Sequence, residues 1–355
     1  MHLYYERIGV CQLEIKYGKS SSALMDIKKD FFVNNSSLLQ ERLRIAELYN
    51  QQPKRKLCKL CLEPIKQEVD FTSHGIDYYI CSTCGHLNGA HEETTNFTEQ
   101  LYITDDYGSS YNEQELSKYN TRVKNIYLPK MEFLLESLNK DGLSKNQCNI
   151  LDIGAGSGYF VAASHIVNIN CQGIEISKTQ VDYGNQMLQR QNLLHISESE
   201  TADYIRGTKA NVVTAIGVLE HILNFHEVLE AVERNPNIQY LYFSVPLFSL
   251  SCIIEAANSQ LFNRQLGGAH THLFSFDSLQ YMNNKYHFTE VSRWQFGTDI
   301  MDLLRSIIIQ LEEDNKKLCD IFQQKFSKLV DPLQLTIDKN NFCSEVHMLV
   351  KKTDH

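Results

Sequence analysis

The sequence has no excess of positive charge and no long uninterrupted apolar run. Its 355 residues include 34 Lys and Arg against 43 Asp and Glu, a formal net charge of -9. A protein that mainly binds the phosphate backbone of a nucleic acid usually has a positive net charge, so we expect no nucleic-acid partner. The longest apolar stretch, Leu241 to Ala257, is interrupted by three serines, a proline and a glutamate, which argues against a membrane span. The first residues lack the basic and apolar segments of a secretory signal, so we expect a soluble, cytoplasmic protein.

The length and composition fit a folded protein of two or three domains. Hydrophobic residues make up 43% and charged residues 22%, which is close to the globular average and excludes overall disorder. The pattern predicts a strand and helix segment over residues 1–52, a cysteine-bearing module with its connector over 53–110, and a larger domain over 111–355. A helical insertion is expected inside the larger domain, at about 299–340.

In the larger domain, short apolar strands alternate with amphipathic helices. Strands are predicted at Asn149–Ile153, Cys171–Ile176, Asn211–Ile216 and Tyr240–Val245, with helices at Tyr159–Ile166, Lys178–Arg190 and His226–Arg234 between them. This alternation is typical of right-handed βαβ units around a parallel sheet. Two later strands, Phe288–Arg293 and Cys343–Lys351, are expected on either side of the insertion. A helix over Thr121–Leu138 precedes the first strand and contains Pro129, which could kink or split it.

A glycine-rich turn joins the first of these strands to its helix. The segment LDIGAGSGYF begins at Leu151 and contains Gly154, Gly156 and Gly158. Glycines suit a sharp turn at which a ligand approaches the backbone closely. A dinucleotide fingerprint would need its third glycine where Tyr159 stands, and a phosphate loop would need a lysine after Gly158. The sequence therefore matches neither of these two motifs.

An acidic residue ends the next predicted strand. Glu175 follows the glycine turn by one helix and one strand, and Ser177 after it suits the N-cap of the following helix. A carboxylate at this place can accept hydrogen bonds from both hydroxyls of a ribose. The sequence thus predicts a nucleoside cofactor in the crevice at the carboxyl ends of these strands.

Three features together resemble the motifs of class I S-adenosylmethionine-dependent methyltransferases. They are the pattern D-x-G-x-G-x-G from Asp152, the acid Glu175, and the segment NVVTAIGVLEHI from Asn211, where many members begin with Asp. The resemblance covers about Tyr111 to Lys352. It implies an α/β, Rossmann-like sheet of seven strands, mostly parallel with an antiparallel last strand between the fifth and sixth, and S-adenosyl-L-methionine as the cofactor. The implied cofactor-binding residues are Asp152, Gly154, Ala155, Gly156, Gly158, Glu175, Ile176 and Gly217, with the adenine contacts expected within Ser197–Thr201.

Two polar clusters are candidates for the chemistry. Glu220 and His221 follow the fourth strand, and His270 and His272 follow a Gly-Gly pair after the fifth. A histidine suits removal of a proton near neutral pH, so His221 is the candidate general base, with Glu220 orienting it. One of the two later histidines is expected to contact the substrate and the other to anchor its loop. Two alternatives stay open. Glu220 and His221 only hydrogen-bond to the backbone, or they hold a divalent ion with His270 or His272, although Gly217 stands where some class members have a further acid.

Four of the ten cysteines form two C-x-x-C pairs, Cys58/Cys61 and Cys81/Cys84. Such pairs in a chain that is not exported argue for metal binding rather than for disulfides. Four thiolates at about 2.3 Å complete the tetrahedral shell of Zn²⁺, so the sequence predicts a structural zinc ribbon. Basic residues border the first pair, and they either form a solvated face or contact RNA: Lys54, Arg55, Lys56 and Lys59.

A zinc module ahead of a methyltransferase core resembles the sugar C-methyltransferases of deoxysugar pathways. Those enzymes use a Glu-His pair near the fourth strand for deprotonation, which Glu220 and His221 match, whereas the family's nearby tyrosine is Val218 here. The resemblance implies a role in carbohydrate biosynthesis, with transfer of methyl to oxygen or carbon of a small polar acceptor, a sugar or a nucleotide-linked sugar. The alternatives are an RNA or tRNA methyltransferase that grips nucleic acid with the ribbon, and a catalytically silent partner subunit. The helical insertion is a candidate homodimer interface or lid.

Overall fold

The computed structural model describes most of the chain. The described residues are 4–8, 13–21, 34–66, 68–98, 100–101, 115–267, 270–312 and 315–353. Residues 102–110 of the predicted connector lie outside them. Among the described residues, no helix is both long enough and apolar enough to cross a membrane.

Strands and helices alternate through most of the described chain. The strands are β1 (Tyr4–Ile8), β2 (Leu13–Tyr17), β3 (Phe71–Ser73), β4 (Ile76–Ile80), β5 (Leu87–Gly89), β6 (Asn149–Ile153), β7 (Asn170–Glu175), β8 (Leu193–His195), β9 (Val212–Ile216), β10 (Tyr240–Pro246), β11 (His272–Leu273), β12 (Phe288–Phe296) and β13 (Glu345–Lys352). The helices are α1 (Asn35–Asn50), α2 (Thr95–Thr98), α3 (Leu116–Arg122), α4 (Leu128–Lys140), α5 (Tyr159–Ile166), α6 (Lys178–Leu188), α7 (Thr201–Gly207), α8 (Phe225–Arg234), α9 (Leu250–Ala257), α10 (Phe276–Lys285), α11 (Asp299–Glu312), α12 (Lys316–Phe326) and α13 (Val330–Lys339).

A mixed sheet forms the centre of the fold. Within the described residues it has nine strands in the order β1-β2-β12-β13-β10-β9-β6-β7-β8. The strands from β10 to β8 run parallel to one another, whereas β13 is antiparallel to both of its neighbours, β10 and β12. The chain therefore has an α/β fold with a mostly parallel central sheet, and its last strand, β13, lies between β10 and β12.

In the part of the chain that the structure describes, the sheet has two strands more than the seven that the resemblance implies. β1 and β2 form an antiparallel pair, and β2 then pairs in parallel with Ser292–Gln295 of β12. The indole N–H of Trp294 donates to the carbonyl of Gly18 at 2.9 Å, which ties the same segment to the sheet. Part of residues 1–52 thus belongs to the main sheet, which no local pattern could indicate because the partner strand is far away in the chain.

The helix before β6 is interrupted rather than continuous. A π-helical turn, Val123–Tyr127, separates α3 from α4, and Pro129 is the second residue of α4. Proline has no N–H and cannot donate to the carbonyl four residues before it. The chain accommodates the missing bond in a widened turn just upstream, so the predicted split falls at a π turn rather than at a kink.

The cysteine module and the larger domain share a second, smaller sheet. Its described strands lie in the order β11-β5-β4-β3. β11 comes from the larger domain and pairs in antiparallel fashion with β5, so that His272 lies opposite Asn88. The module is therefore joined to the larger domain by backbone hydrogen bonds.

The helical insertion lies between β12 and β13 and consists of α11, α12 and α13. Ile300, Leu304 and Ile308 are buried on one side of α11, where they pack with Cys319 and Val330. This is the core packing that their spacing indicates. The homodimer contact and the lid stay predictions.

Candidate cofactor and catalytic site

A cavity of about 520 Å³ lies at the carboxyl ends of the parallel strands. This is where an open α/β sheet binds its ligands. Seven of the eight implied cofactor residues line it: Asp152, Gly154, Ala155, Gly156, Glu175, Ile176 and Gly217. The predicted catalytic residues Glu220, His221 and His270 line it as well, so the fold brings the two groups together in one cavity.

The glycine turn after β6 adopts backbone angles that suit glycine. Gly154, Gly156 and Gly158 have φ of 60°, 53° and 74°, the left-handed region that side chains with a Cβ rarely adopt. A Cβ on Gly154 would lie 2.7 Å from Cγ2 of Val218, so this turn is also closely packed. Gly158 does not line the cavity and is the N-cap of α5. The contact of Gly158 with the cofactor stays a prediction.

Glu175 is held at the end of β7 by two backbone groups. Its Oε2 accepts the N–H of Gly156 and its Oε1 accepts the N–H of Ser177, both at 2.8 Å. Burial raises the pKa of this carboxyl, and the two N–H groups oppose that shift. Because each carboxylate oxygen has a second lone pair, both oxygens can still accept hydrogen bonds from ribose hydroxyls.

Asp152 lies at the base of the cavity. It is 3% exposed, and its Oδ1 accepts the hydroxyl of Thr214 at 2.6 Å. Burial raises the pKa of the Asp152 carboxyl to about 7. A cationic ligand in the cavity would favour the ionised carboxylate, since an opposite charge nearby lowers the pKa of an acid.

The segment predicted to read the adenine is also at the cavity. Within Ser197–Thr201, the residues Glu198 and Thr201 line the wall. Oε1 of Glu198 accepts the N–H of Leu223 at 3.1 Å. This bond joins the turn after β8 to the turn after β9, so the adenosine side of the cavity and the acid–histidine side are held together.

Glu220, His221 and His270 form a compact cluster in the wall, with one ligand atom from each lying within 4.8 Å of the others. Nε2 of His221 is 3.9 Å from Oε1 of Glu220, and the rings of His221 and His270 stack at 5.2 Å between centroids. Glu220 is 4% exposed and its Oε2 has no hydrogen-bond partner among the described residues. Burial raises the pKa of Glu220 to about 8 and lowers that of His270 to about 4.

A buried carboxylate fixes the loop that carries His270. Glu255 accepts the backbone N–H groups of Arg264, Gln265 and Leu266 at 2.8 to 2.9 Å. Nδ1 of His270 lies 3.2 Å from the carbonyl oxygen of Gln265, which can only accept, so Nδ1 carries the proton. Nε2 of His270 is then the nitrogen with a lone pair for a substrate proton or a metal.

His272, the other predicted histidine, lies away from the cavity. It is buried in β11, where its Nδ1 is 2.9 Å from Nε2 of His86, and it does not line the cavity. Pairing of β11 with β5 holds His272 under the cysteine module. The two histidines, only two residues apart, are therefore separated: His270 lies at the cavity and His272 inside the core.

Several charged residues of the wall were not predicted from the sequence. Lys130 and Glu345 line the cavity, with Nζ of the lysine 3.7 Å from Oε1 of the glutamate. Nε2 of His347 lies 2.9 Å from the same oxygen. Burial would raise the pKa of Glu345, but the charge of Lys130 and the hydrogen bond to His347 hold this pKa below its usual range. Arg122 and Arg264 complete the set. The sequence carries no local mark of them, since they come from α4, β13, α3 and a loop.

The four paired cysteines converge in the hydrophobic core. The Sγ atoms of Cys58 and Cys84 are 3.7 Å apart and those of Cys61 and Cys81 are 3.4 Å apart, with all four within 4.8 Å. A tetrahedron with metal–sulfur bonds of about 2.3 Å has edges of about 3.8 Å, so the four thiols fit Zn²⁺. After each pair the chain turns through a residue with positive φ, at Leu62 and Gly85, whose N–H donates back to the carbonyl of the pair's first cysteine at 3.0 and 2.8 Å.

One family model and several solved structures are similar to part of this chain. Residues 119–292 match a family model described as a methyltransferase domain. No curated protein sequence matches the chain. Solved structures with similarity include magnesium protoporphyrin IX methyltransferase from Synechocystis PCC 6803 with bound S-adenosylhomocysteine, at 12% identity and a TM-score of 0.45, covering 74% of this chain and 100% of that one. A S-adenosylmethionine-dependent methyltransferase from Geobacter sulfurreducens, in complex with S-adenosyl-L-homocysteine, has 14% identity and a TM-score of 0.39, covering 63% and 91%.

The family match spans the glycine turn, Glu175 and the acid–histidine cluster up to β12. The part of the chain that the family model matches, residues 119–292, thus has the features of a methyltransferase domain.

Proposed function

We propose that the protein transfers methyl to oxygen or carbon of a small polar acceptor, a sugar or a nucleotide-linked sugar, with His221 as the general base. The observation that carries the proposal is the cluster of Glu220, His221 and His270 in the same cavity as the glycine turn. A half-buried imidazole beside a buried carboxyl is a suitable acceptor for a substrate proton.

Methyl transfer needs alignment, exclusion of water and removal of one proton. The bound cofactor would supply the methyl group to the acceptor atom by an in-line displacement, with its sulfur as the leaving group in the form of a neutral thioether. The proton of the acceptor O–H or C–H group passes to His221. The imidazolium then favours the ionised form of Glu220, whose carboxyl lies 3.9 Å away, so the two groups stabilise the proton together.

The charged side chains in the wall of the cavity support a polar acceptor. Beyond the cluster, Lys130, Glu345 and Arg264 line the cavity. Hydroxyl groups can donate to carboxylates and accept from ammonium or guanidinium groups. An acceptor rich in hydroxyls would therefore have partners on this wall, whereas an apolar acceptor would leave the charges desolvated.

The surroundings of the first cysteine pair support a small acceptor over RNA. Arg55 and Lys59 border that pair, yet their side chains are only 3% and 9% exposed. Both pair with Glu93, at 2.6 and 3.3 Å. Two of the four basic residues near the first cysteine pair thus have buried side chains. Less positive charge is therefore exposed for contact with the phosphate backbone of RNA.

The proposal includes a structural zinc ion on Cys58, Cys61, Cys81 and Cys84. The fit of the four thiols to a tetrahedron supports it, and four protein ligands leave no position for catalysis. Thiolate ligands must stay reduced, so we also propose a cytoplasmic location.

Incubation with methyl-labelled S-adenosylmethionine tests the acceptor class. The purified protein is offered separate pools of nucleotide-sugars, glycans and RNA, and label is expected in a sugar-containing pool. Label in RNA alone would overturn the sugar proposal. His221→Ala should lower kcat about 100-fold or more and leave the Kd for the cofactor within about two-fold, because general-base removal acts on chemistry rather than on cofactor binding. His165→Ala, on α5, is the matched control and should keep the wild-type rate.

A divalent cation on Glu220, His221 and His270 is a second candidate. The convergence of one oxygen and two nitrogens, and the unpartnered Oε2 of Glu220, favour it. Treatment with a chelator distinguishes a general base at His221 from a cation site. The chelator is used under conditions that leave the melting temperature unchanged, which shows that the cysteine site is intact. A rate that survives the chelator supports the base, and a rate that returns only with Mg²⁺ or Mn²⁺ supports the cation.

A further inference from the structure

We propose that Arg264 binds an anionic group of the acceptor, a phosphate or a carboxylate. The proposal rests on the proposed methyl transfer and adds the charge that the acceptor carries. It is supported by the place of Arg264 in the loop of His270, by the buried carboxylate that holds its guanidinium, and by the different surroundings of the other cations in the cavity wall.

Arg264 and His270 belong to one fixed loop. The backbone N–H of Arg264 donates to the buried carboxylate of Glu255 at 2.8 Å. Nδ1 of His270 lies 3.2 Å from the carbonyl oxygen of Gln265, the residue after Arg264. Arg264, Gln265 and His270 all line the cavity. An anionic group bound by Arg264 would therefore be held by the same loop that places His270 in the acid–histidine cluster.

This loop lies on the side of the cavity that the expected cofactor leaves to the acceptor. The implied cofactor residues are at the ends of β6, β7 and β9, whereas the loop follows β10. In the sheet β10 lies beyond β9, two strands from β6, which corresponds to about 10 Å at the usual spacing of strands. The loop is also held from the β13 side, because it is bound to α11, where Oδ2 of Asp299 accepts the N–H of Ser344 at 3.0 Å.

A buried carboxylate of α11 holds the guanidinium of Arg264. Nη2 of Arg264 donates to Oδ2 of Asp302 at 2.7 Å and to the hydroxyl of Thr298. The side chain of Asp302 is 2% exposed and does not line the cavity, whereas that of Arg264 is 18% exposed and does. Nη1 of Arg305 lies 3.5 Å from Oδ1 of Asp302, so one carboxylate faces two guanidinium groups. The planar fork of donors on an arginine matches a phosphate or a carboxylate in two parallel hydrogen bonds.

The other cations of the cavity wall have different surroundings. Nζ of Lys130 is 3.7 Å from Oε1 of Glu345, which itself lines the cavity, so this pair presents both charges to a ligand. Arg122 lies beside the glycine turn, with its Cζ 5.0 Å from the ring centroid of Tyr159, and therefore belongs to the cofactor side. The acidic partner of Arg264 lies outside the cavity, so the positive charge of that pair faces the acceptor.

Three matched sugars test this proposal. Glucose 1-phosphate carries a phosphate, glucuronate carries a carboxylate, and glucose carries neither. In isothermal titration of the protein saturated with S-adenosylhomocysteine, the wild type should bind one charged sugar about 10- to 100-fold more tightly than glucose, and the sugar that is preferred identifies the anion. Arg264→Gln should lose this preference and keep its Kd for S-adenosylhomocysteine within about two-fold. Arg234→Gln, at an exposed arginine of α8, is the matched control and should keep the preference.

Each outcome of the titration has a separate meaning. A wild type that binds S-adenosylhomocysteine but prefers neither charged sugar to glucose would overturn the proposal, and so would an Arg264→Gln protein with the full preference. A wild type that does not bind S-adenosylhomocysteine would instead contradict the function on which the proposal rests. Arg264→Lys should keep part of the preference, because it retains the charge without the fork. If Arg264→Gln does not fold, Arg264→Gln with Asp302→Asn removes both charges of the buried pair and should show the same loss.

Discussion

The backbone N–H of Gly156 donates to Oε2 of Glu175 at 2.8 Å and ties the glycine turn after β6 to the end of β7. The carboxylate thus has two tasks, since it holds the turn and faces the cavity where a ribose is expected. The two motifs that the sequence carries on neighbouring strands are in direct contact, which explains why both are needed for one nucleoside site.

Glu175→Gln should weaken every nucleoside ligand. The amide NH₂ group would face a backbone N–H that needs an acceptor, so the turn loses a partner and the ribose loses an acceptor. We expect a Kd at least about 10-fold weaker for S-adenosylhomocysteine and for 5′-methylthioadenosine alike, measured by isothermal titration. Asp182→Asn on the exposed side of α6 should bind both ligands normally, and a Glu175→Gln protein that did so too would exclude the ribose role.

Gly154→Ala should destabilise the protein and abolish cofactor binding. The new Cβ would be 2.7 Å from Val218, at a φ of 60° that alanine rarely adopts, so we expect a loss of about 1–3 kcal/mol in the free energy of unfolding. Gly207→Ala at the end of α7 is the matched control, because a Cβ there meets nothing within 4 Å. Its stability should equal or slightly exceed that of the wild type in urea unfolding. An equal free energy of unfolding for Gly154→Ala and Gly207→Ala would contradict the close packing of the glycine turn.

The stability of the cofactor-free protein should depend on pH through Asp152. Its folded pKa of about 7 lies above the ordinary 3.8, so the folded state binds the proton more tightly than the unfolded state. Stability from this group is therefore present at low pH and is lost as the pH rises from about 4 to 7. Asp152→Asn should remove this dependence. The difference in the free energy of unfolding between the variant and the wild type, measured by urea unfolding, should change by about 2 kcal/mol in favour of the variant as the pH rises from 5.5 to 8.5. If the free energy of unfolding changed with pH in the same way for the two proteins, Asp152 would already be ionised in the folded state.

Asp152 should also make cofactor binding depend on pH. A cationic ligand favours the ionised carboxylate, so the affinity for S-adenosylmethionine should rise between pH 6 and pH 8 in the wild type. Binding below pH 7 should release a proton, which calorimetry in buffers of different ionisation enthalpy measures. Asp152→Asn should bind more weakly at pH 8 and show no proton release. Identical release from the variant would assign the proton to another group.

Loss of the zinc ion proposed at the four cysteines should affect the cavity. The four cysteines pack in the same hydrophobic core as Leu219 and Phe225, which flank the acid–histidine segment. We expect one zinc per chain by elemental analysis, and Cys84→Ser should lower both the melting temperature and the rate of methyl transfer. Cys148→Ser, at a cysteine outside the cluster, should retain the metal and the rate. A zinc-free protein with wild-type melting would contradict a structural metal.

Part of the fold and of the site could be predicted from the sequence, because it depends on the local chemistry of short segments. The glycine turn, Glu175, the alternation of strands and helices, and the two cysteine pairs are each short segments whose residue types meet a local need: a positive φ, an acceptor at a strand end, a period of burial, a set of metal ligands. For the same reason β6 and α5 have the bounds that the sequence predicts. These features determined the class of fold and the cofactor crevice.

Only the tertiary structure decided which distant side chains meet there. His270 and His272 are equivalent in sequence, but β11 pairs with β5 and takes His272 into the core, while the turn fixed by Glu255 leaves His270 at the cavity. Arg122 and Glu345 reach the wall from α3 and from the last strand, and β2 pairs with β12. Such contacts depend on strand register and on packing between segments far apart in the chain, and a local pattern of residues does not contain that information.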